Sequence, residues 1–523
     1  MIHRINFLYK PPKGVLLVEL TLRQKIGQLV LYSLDGRELD EAAVRTLRDY
    51  CVGNVIHFGN NVQGLGDARA LNDALTAEIR RSCADIPPLL CIDHEGGRVM
   101  RFAQDLTWFP SHLALSAADD EELTCAVGRA MGEELAAAGF QLNFAPVVDI
   151  ISAVASPVIG VRSFGDMPER VIRHAAAFCR GMQSAGVMAC LKHFPGHGSS
   201  TADSHYFLPT VDMSREELEA TGLAPYRALC REKAAGAIMT AHILFPQIEP
   251  GVPATMSPEI LTGILRRDIG FDGIVFSDGI QMKAIAEHYG MERGCIAAIR
   301  AGVDIVCIGT GGSGSQEAQI ACMEALYQAA LSGEIPMERI DEAVAHVLAG
   351  KAVYCSRPTP PAPDFAAHAA LSAEVCRRAI TRLSGGTVTG RVLYASAPVK
   401  ELAFGLTHAD PRQLTFGQMA AMHTGGAYTT LDRLGEAGDY DALVIGMQNV
   451  REDSIELAAA REAYAQGKQV ALVLMNTPYG AQHLPKEYDI VCSYSHTPAA
   501  IAAAIDALTG KAQPMGTLPV TLD

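Results

Sequence analysis

Between residues 21 and 350 one unit recurs: a short apolar run that ends in polar residues, followed by a stretch with helical spacing. The runs are VGNVIHFGN (52–60), PPLLCIDHEGG (87–97), FQLNFAPVVDI (140–150), GVMACLKHFPG (186–196), GAIMTAHI (236–243), FDGIVFSDG (271–279) and AGVDIVCIG (301–309). Each is almost wholly apolar, as strands buried on both faces are. Between them lie amphipathic stretches such as DARALNDALTAEIRRSC (67–83) and PERVIRHAAAFCRGMQSAG (168–186). Strands that alternate with helices predict a parallel sheet. Seven such units in about 330 residues fit an α/β fold of the closed or slightly irregular (β/α)8 barrel type.

The polar residues have one location in this pattern. Asp93-His94-Glu95, Asp149, Lys192-His193, His242 and Asp278 all fall at the C-terminal ends of expected strands. Charges facing a packed interior are costly. At strand exits they converge on one rim, which is where barrel active sites form.

Two helical stretches, 315–333 and 337–354, close the barrel unit. CSRPTPPAPDF (355–365) carries four prolines in eleven residues and reads as a linker. Beyond it, RVLYASA (391–397), YDALVIGM (440–447), KQVALVLMN (468–476) and YDIVCSYS (488–495) alternate with helical or loop stretches. The expected division is a catalytic barrel over 1–354, a linker over 355–365 and a smaller α/β domain over 366–523. No glycine-rich phosphate loop stands at a strand–helix junction of the second unit.

Composition narrows the function classes. With 49% apolar and 19% charged residues, the 523-residue chain has ample material for a core. A net charge of −15 argues against a nucleic-acid-binding surface. No run of 18 charge-free apolar residues predicts a membrane span. The start, MIHRINFLYKPPKGVLLVEL, lacks a secretory core and a small-residue cleavage site, so the expected location is cytoplasmic; a mis-started N-terminus would leave export open. The 13 cysteines are scattered, with no CxxC, which fits reduced thiols better than a disulfide scaffold.

Four constellations carry chemistry. KHFPGHGSSTADSH (192–205) compresses a lysine, three histidines and an aspartate into a Gly/Ser-rich segment after a strand. Its His193 and His197 are metal ligands by composition alone, but no further Cys/His spacing supports a zinc site, and a purely structural loop is the other plain reading. Within it, Asp203 stands two residues from His205. A carboxylate so placed orients one ring nitrogen, leaving the other to act as general acid and then base. Asp278, after an apolar strand and before Gly279, reads either as a turn or N-cap residue or as a carboxylate nucleophile or electrostatic stabiliser. Asp272 reads as the turn residue before that strand. In CIDHEGGRVMR (91–101), Asp93 can accept two hydrogen bonds from a sugar diol, and Arg98 can hold a carboxylate or pair with Glu95. Gly96 and Gly97 permit positive φ and close backbone approach. Arg162, in VIGVRSFGDMPE (158–169), offers a rigid donor fork or forms a structural salt bridge.

These segments together resemble glycoside hydrolase family 3, in its β-N-acetylglucosaminidase (NagZ-like) branch. The matching pieces are FGNN (58–61), IDHEGGRV (92–99), NFAPVVDI (143–150), GVRSFGD (160–166), KHFPGHG (192–198), DSH (203–205), TAHI (240–243), PATMSPEILTGILR (253–266) and IVFSDGIQM (274–282). KHFPGHG followed by D-S-H is specific to this branch. After Asp278 the chain has Gly279-Ile280 where many relatives carry an acidic or small residue and then Leu. NTPYG (476–480) and the ending GKAQPMGTLPV resemble the α/β sandwich domain of two-domain members.

The resemblance implies a retaining exo-β-N-acetylglucosaminidase acting through a glycosyl-enzyme intermediate. In it Asp278 is the nucleophile, and His205 is the acid/base with Asp203 as its partner. Asp93, Arg162, Lys192 and His193 bind the terminal sugar, and His197 shapes the loop. It implies no metal and no cofactor. The expected partners are GlcNAc-containing oligosaccharides or muropeptides, with water, or alternatively phosphate, as acceptor. A β-glucosidase or β-xylosidase of the same family, and a non-enzymatic sugar-binding protein, are the rival readings.

Overall fold

A computed structural model describes residues 20–102, 105–151, 158–200, 207–309, 314–356, 361–398 and 414–522. In chain order, the strands of the first unit are β1 (Val30–Ser33), β2 (Asn54–His57), β3 (Leu89–Ile92), a hairpin of β4 (His94–Gly96) and β5 (Val99–Met100), β6 (Leu142–Asn143), β7 (Met188–Phe194), β8 (Ala237–Thr240), β9 (Ile274–Gly279) and β10 (Ile305–Ile308). All except the hairpin pair in parallel and close into an eight-stranded barrel, β1-β2-β3-β6-β7-β8-β9-β10 and back to β1. The seven predicted runs each contain one of these strands.

The eighth, β1, was not anticipated. It starts two residues after the helix Leu22–Gln28, whose entry is fixed by a capping box between Thr21 and Gln24. Helix and strand therefore merge into one apolar run, and periodicity cannot divide them. β1 is nonetheless what closes the barrel, by pairing with β2 and β10. β6 is shorter than its run predicts. The Asn143 side chain accepts from the His94 N–H (2.9 Å) and donates to the His94 carbonyl (2.7 Å), and Pro146 has no N–H to give a ladder.

The barrel interior is packed, not hollow. Leu31, Ile56, Cys91, Leu142, Cys190, Met239, Phe276 and Cys307 form one buried cluster drawn from all eight strands, joined by Phe144 just past β6. Phe144 and Phe276 meet edge to face, with ring centroids 5.2 Å apart.

The helix Phe365–Ala379 leads into the second unit, whose strands are β11 (Thr381–Ser384), β12 (Val392–Ser396), β13 (Ala427–Thr430), β14 (Ala442–Met447), β15 (Gln469–Leu474) and β16 (Asp489–Cys492). They form one mixed sheet in the order β11-β16-β15-β14-β12-β13, parallel except for β11. The four runs read from the sequence are β12, β14, β15 and β16. β11 and β13 escaped because they are the sheet's edges: short, partly polar and partly exposed.

Alternate residues of the central strands serve the two faces. Val444, Ala471 and Val473 pack on the helices Phe416–Thr424 and Pro498–Leu508. Leu443, Ile445, Leu472 and Leu474 share a core with Leu113, Val147, Ile159 and Val161 of the barrel unit. The smaller domain thus sits on the barrel's own loops. Ser111 Oγ donates to the Tyr494 carbonyl (2.6 Å), and the Thr521 N–H donates to Asp166 (2.6 Å). Gly165, at φ +138°, lies so close to Pro519 that a Cβ there would stand 2.1 Å from its carbonyl oxygen.

Candidate active site

Side chains alternate along a strand, so residues two apart share a face. Cys91, Cys190 and Phe276 point into the barrel. Two residues further on stand Asp93, Lys192 and Asp278. They form the next layer up on the same inward face, at the C-terminal mouth. Lys192 Nζ lies 2.7 Å from Asp93 Oδ1, which places two of the predicted site residues, from strands far apart in sequence, in direct contact.

Around this pair the mouth carries an alternating chain of charges. Arg101 donates to Asp93 Oδ2 (2.9 Å), Lys192 bridges Asp93 and Glu95 (2.7 Å to each), and Arg162 grips Glu95 with two parallel bonds of 2.8 Å. All five side chains are buried or nearly so. Burial alone raises the pKa of a carboxyl, but Lys192 and Arg101 outweigh it and hold Asp93 well below the usual range. Arg162 and Lys192 do the same to Glu95. In return, burial would lower the Lys192 and Arg162 pKa values, and the two carboxylates raise both.

Arg162 is therefore both donor fork and salt-bridge partner, the two roles the sequence left open. Arg101 is the residue that sequence reasoning missed; Arg98 drew attention in its place. The signal was present. The hairpin pairs His94 with Met100 across the Gly97-Arg98 turn, which sets Asp93 opposite Arg101. Gly96 and Gly97 both hold positive φ as expected, and a Cβ on Gly96 would stand 2.7 Å from the Pro110 carbonyl oxygen.

His193, next in the chain, is held by a different carboxylate. Its Nδ1 lies 2.7 Å from Asp149, whose carboxylate also accepts from the backbone N–H of His193 (3.2 Å) and of His197 (2.6 Å). One buried aspartate thus pins both ends of the His-Phe-Pro-Gly-His turn. Burial raises the Asp149 pKa, but His193 and His197 lower it further. The two imidazoles meet edge to face at 5.6 Å rather than converging on one point. Among the described residues no group of three or more His, Cys, Asp or Glu side chains is arranged to hold a metal ion.

Asp278 is the penultimate residue of β9 and the one partly exposed residue of that strand. Its Oδ1 accepts from the Gly279 N–H (2.7 Å), so the turn reading and the reactive reading describe the same side chain. Behind it, buried His242 is hydrogen-bonded to Thr255 Oγ1 (2.8 Å) and, through Nε2, to the Gly279 carbonyl (3.0 Å). That contact fixes the backbone beside Asp278. Asp272 is an exposed residue just before the strand, as read from the sequence. Asp203 and His205 lie outside the described residues. The described chain stops at Ser200 and resumes at Phe207.

A closed parallel barrel with buried charges and strand-end carboxylates at its C-terminal mouth has the architecture of a barrel enzyme. The profile of the glycosyl hydrolase family 3 N-terminal domain matches residues 21–349, and the chain belongs to glycoside hydrolase family 3. It is 40% identical over 288 residues to a β-hexosaminidase of Neisseria meningitidis serogroup C, spanning 54% of this chain and 77% of that one. Its whole fold is similar to a family 3 β-N-acetylglucosaminidase from Paenibacillus sp. str. FPU-7, with a TM-score of 0.89 at 33% identity, covering 96% of this chain and 99% of the other. The barrel also matches NagZ from Neisseria gonorrhoeae, solved with N-trifluoroacetyl-D-glucosamine, at 32% identity and a TM-score of 0.50 over 62% of this chain and 97% of that one.

Proposed function

We propose that this chain is a retaining exo-β-N-acetylglucosaminidase that removes terminal β-linked GlcNAc from peptidoglycan fragments. The observation that carries the reading is the buried alternation Arg101–Asp93–Lys192–Glu95–Arg162 beside Asp278 at the barrel mouth. Such a chain presents ionised acceptors and donors at fixed positions, which suits a ring of sugar hydroxyls. Asp93 accepts from two of them while Lys192 and Arg162 donate, and His193, held by Asp149, completes the wall of the subsite.

In this reading Asp278 attacks C1 through an oxocarbenium-like state and forms a glycosyl ester, while His205 protonates the departing oxygen. His205 then takes a proton from water, which releases the sugar with its configuration retained. Asp203 orients the imidazole and stabilises its charged form. An imidazole titrates near neutrality, so it needs little tuning for either role. The relatives support the sugar specificity: the Neisseria meningitidis protein is named a β-hexosaminidase and the Paenibacillus protein a β-N-acetylglucosaminidase. The scattered cysteines, with no CxxC, suit a reducing, cytoplasmic setting and recycled fragments as substrate.

Paired variants test the assignment. Asp278→Ala lowers kcat on an aryl β-N-acetylglucosaminide by on the order of 10⁴-fold or more, and near-normal turnover refutes the nucleophile. His205→Ala costs about 10²–10⁴-fold on alkyl glycosides and far less on activated aryl ones. Equal losses on both would make His205 structural.

A further inference from the structure

At one strand exit the mouth layer is completed by a residue from the neighbouring strand. Gly309 stands two residues past the inward-facing Cys307 of β10, level with Asp93, Lys192 and Asp278, and has no side chain to offer there. A Cβ on it would lie 2.5 Å from Gln281 Nε2 and 3.0 Å from Phe58 Cζ, so the glutamine amide and the phenyl ring meet over this glycine. Phe58, two residues past Ile56, packs on the barrel's interior cluster. The amide is held in one orientation. The Gly309 N–H donates to Gln281 Oε1 (2.9 Å), and a backbone N–H can only donate, so the two amide hydrogens are on the other atom, Nε2. Gln281 is half-buried, and among the described residues no acceptor is paired with Nε2. Phe58 lies in turn beneath the Arg101 guanidinium (5.4 Å), which holds Asp93 (2.9 Å). One arc of the mouth thus runs Asp278, Gln281, Phe58, Arg101, Asp93, while Lys192 and Arg162 stand on the other.

The hand of the fold assigns these arcs to the two edges of the sugar. Successive strands of a parallel barrel are joined by right-handed crossovers, so seen from the mouth they run anticlockwise. Asp278 on β9 and Asp93 just past β3 stand four strands apart in a ring of eight. Asp278 attacks from the packed floor, opposite the departing group, so the β face of the sugar is turned to solvent. Viewed from that face, a D-pyranose runs clockwise from C1 through C2 and C3 to C4, and anticlockwise through the ring oxygen and C5. With C1 over Asp278 and C4 towards Asp93, the C2–C3 edge faces β8, β7 and β6. The C5–C6 edge faces β10, β1 and β2, where Gln281 and Phe58 are.

We infer that Gln281 donates from Nε2 to the C6 hydroxyl of the terminal sugar, with the C6 methylene against Phe58, and so selects for a free hydroxymethyl group. The inference rests on Asp278 as the nucleophile and Asp93 as the acceptor at the far end of the ring. An uncharged donor beside a phenyl ring suits a group with one hydroxyl and one CH2. The charged donors Lys192 and Arg162 are left to the C2–C3 edge.

The test compares 4-nitrophenyl β-N-acetylglucosaminide with its 6-deoxy analogue, which shares the leaving group and the acetamido group and lacks only the C6 oxygen. The unaltered enzyme favours the hydroxylated sugar by at least about tenfold in kcat/KM, and parity between the two overturns the inference without any variant. Gln281→Met keeps the length of the side chain and removes its donor. It lowers the ratio by about three- to tenfold, by slowing the hydroxylated sugar alone. Equal losses on both sugars, or an unchanged ratio, make Gln281 a packing residue and overturn the inference. Asp278→Ala, assayed alongside, separates the underlying assignment. Near-normal turnover there defeats the nucleophile reading, whereas turnover lost there with the ratio unmoved in Gln281→Met defeats the C6 contact alone.

Discussion

Within the charge chain at the barrel mouth the carboxylates are buried or nearly so, and each is tolerable only because cations touch it. Lys192 serves two of them at once. Lys192→Met leaves Asp93 with Arg101 and Glu95 with Arg162, one cation short in a desolvated cluster. Removing one partner of a buried ion pair costs about 3–5 kcal/mol. The expected result is a lower thermal midpoint and a raised KM for N-acetylglucosaminides. Asp93 would also titrate at higher pH, moving the acid limb of the kcat/KM profile upward. An acid limb that does not move would show that Lys192 sets neither the charge nor the binding. At this scale the sequence was informative about which polar residues gather: Asp93, Lys192 and Arg162, read from their places at strand ends, belong to one chain of ion pairs. Partner choice was not legible, because a contact between residues 93 and 192 depends on two strands folding side by side. Arg101 was the exception, readable in principle from the pairing of the hairpin about Gly97-Arg98.

The element that joins the two halves of the proposed chemistry is the turn after β7. Gly196 adopts φ +140°, and a Cβ there would stand 2.8 Å from Gly222 Cα. Gly198 is tighter still: a Cβ would lie 1.7 Å from the Ile150 carbonyl oxygen. Backbone cannot yield as a side-chain tip does, so Gly198→Ala must displace the turn and the D-S-H segment that follows. The expectation is a fall in kcat/KM of at least about tenfold, since small misplacements of catalytic groups are costly. The Asp278 region stays in place, so binding of GlcNAc alone, followed by calorimetry, weakens much less. Comparable losses in both would place the damage in the terminal-sugar subsite instead. The glycine requirement is thus a packing requirement, visible only once the 150 and 198 segments meet. Strands β1, β11 and β13 were missed for a related reason. A strand merged with a helix, or one at a sheet edge, lacks the isolated apolar run that marks a central strand.

Across the whole molecule, buried neutral histidines set the acid limit. Burial pushes His57, His94, His112, His174 and His197 each down to about 4. Between about pH 4 and 6.5 the unfolded chain binds protons that the folded chain refuses. Stability therefore rises with pH in that window and is lost on acidification, by up to about 1.4 kcal/mol per pH unit for each histidine. Asp93 and Glu95, both held low, add to the loss only at still lower pH, where the unfolded carboxyls take up protons first. The thermal midpoint should drop steeply from pH 6.5 to pH 4.5 and be nearly level from 6.5 to 7.5. A flat profile through the acid window would mean that these imidazoles are charged in the fold.

The chain's alternation of apolar runs and amphipathic stretches was enough to define a parallel barrel, because a strand buried on both faces has few other compositions open to it. The position of polar residues at the run ends was enough to locate the charge-lined mouth. Closure by β1, the sharing of Lys192 between Asp93 and Glu95, and the seating of the second sheet on Leu113, Val147, Ile159 and Val161 were decided only in three dimensions. Local patterns record which face of an element is buried. Which neighbour buries it depends on packing among segments far apart in the chain, and that information is not periodic.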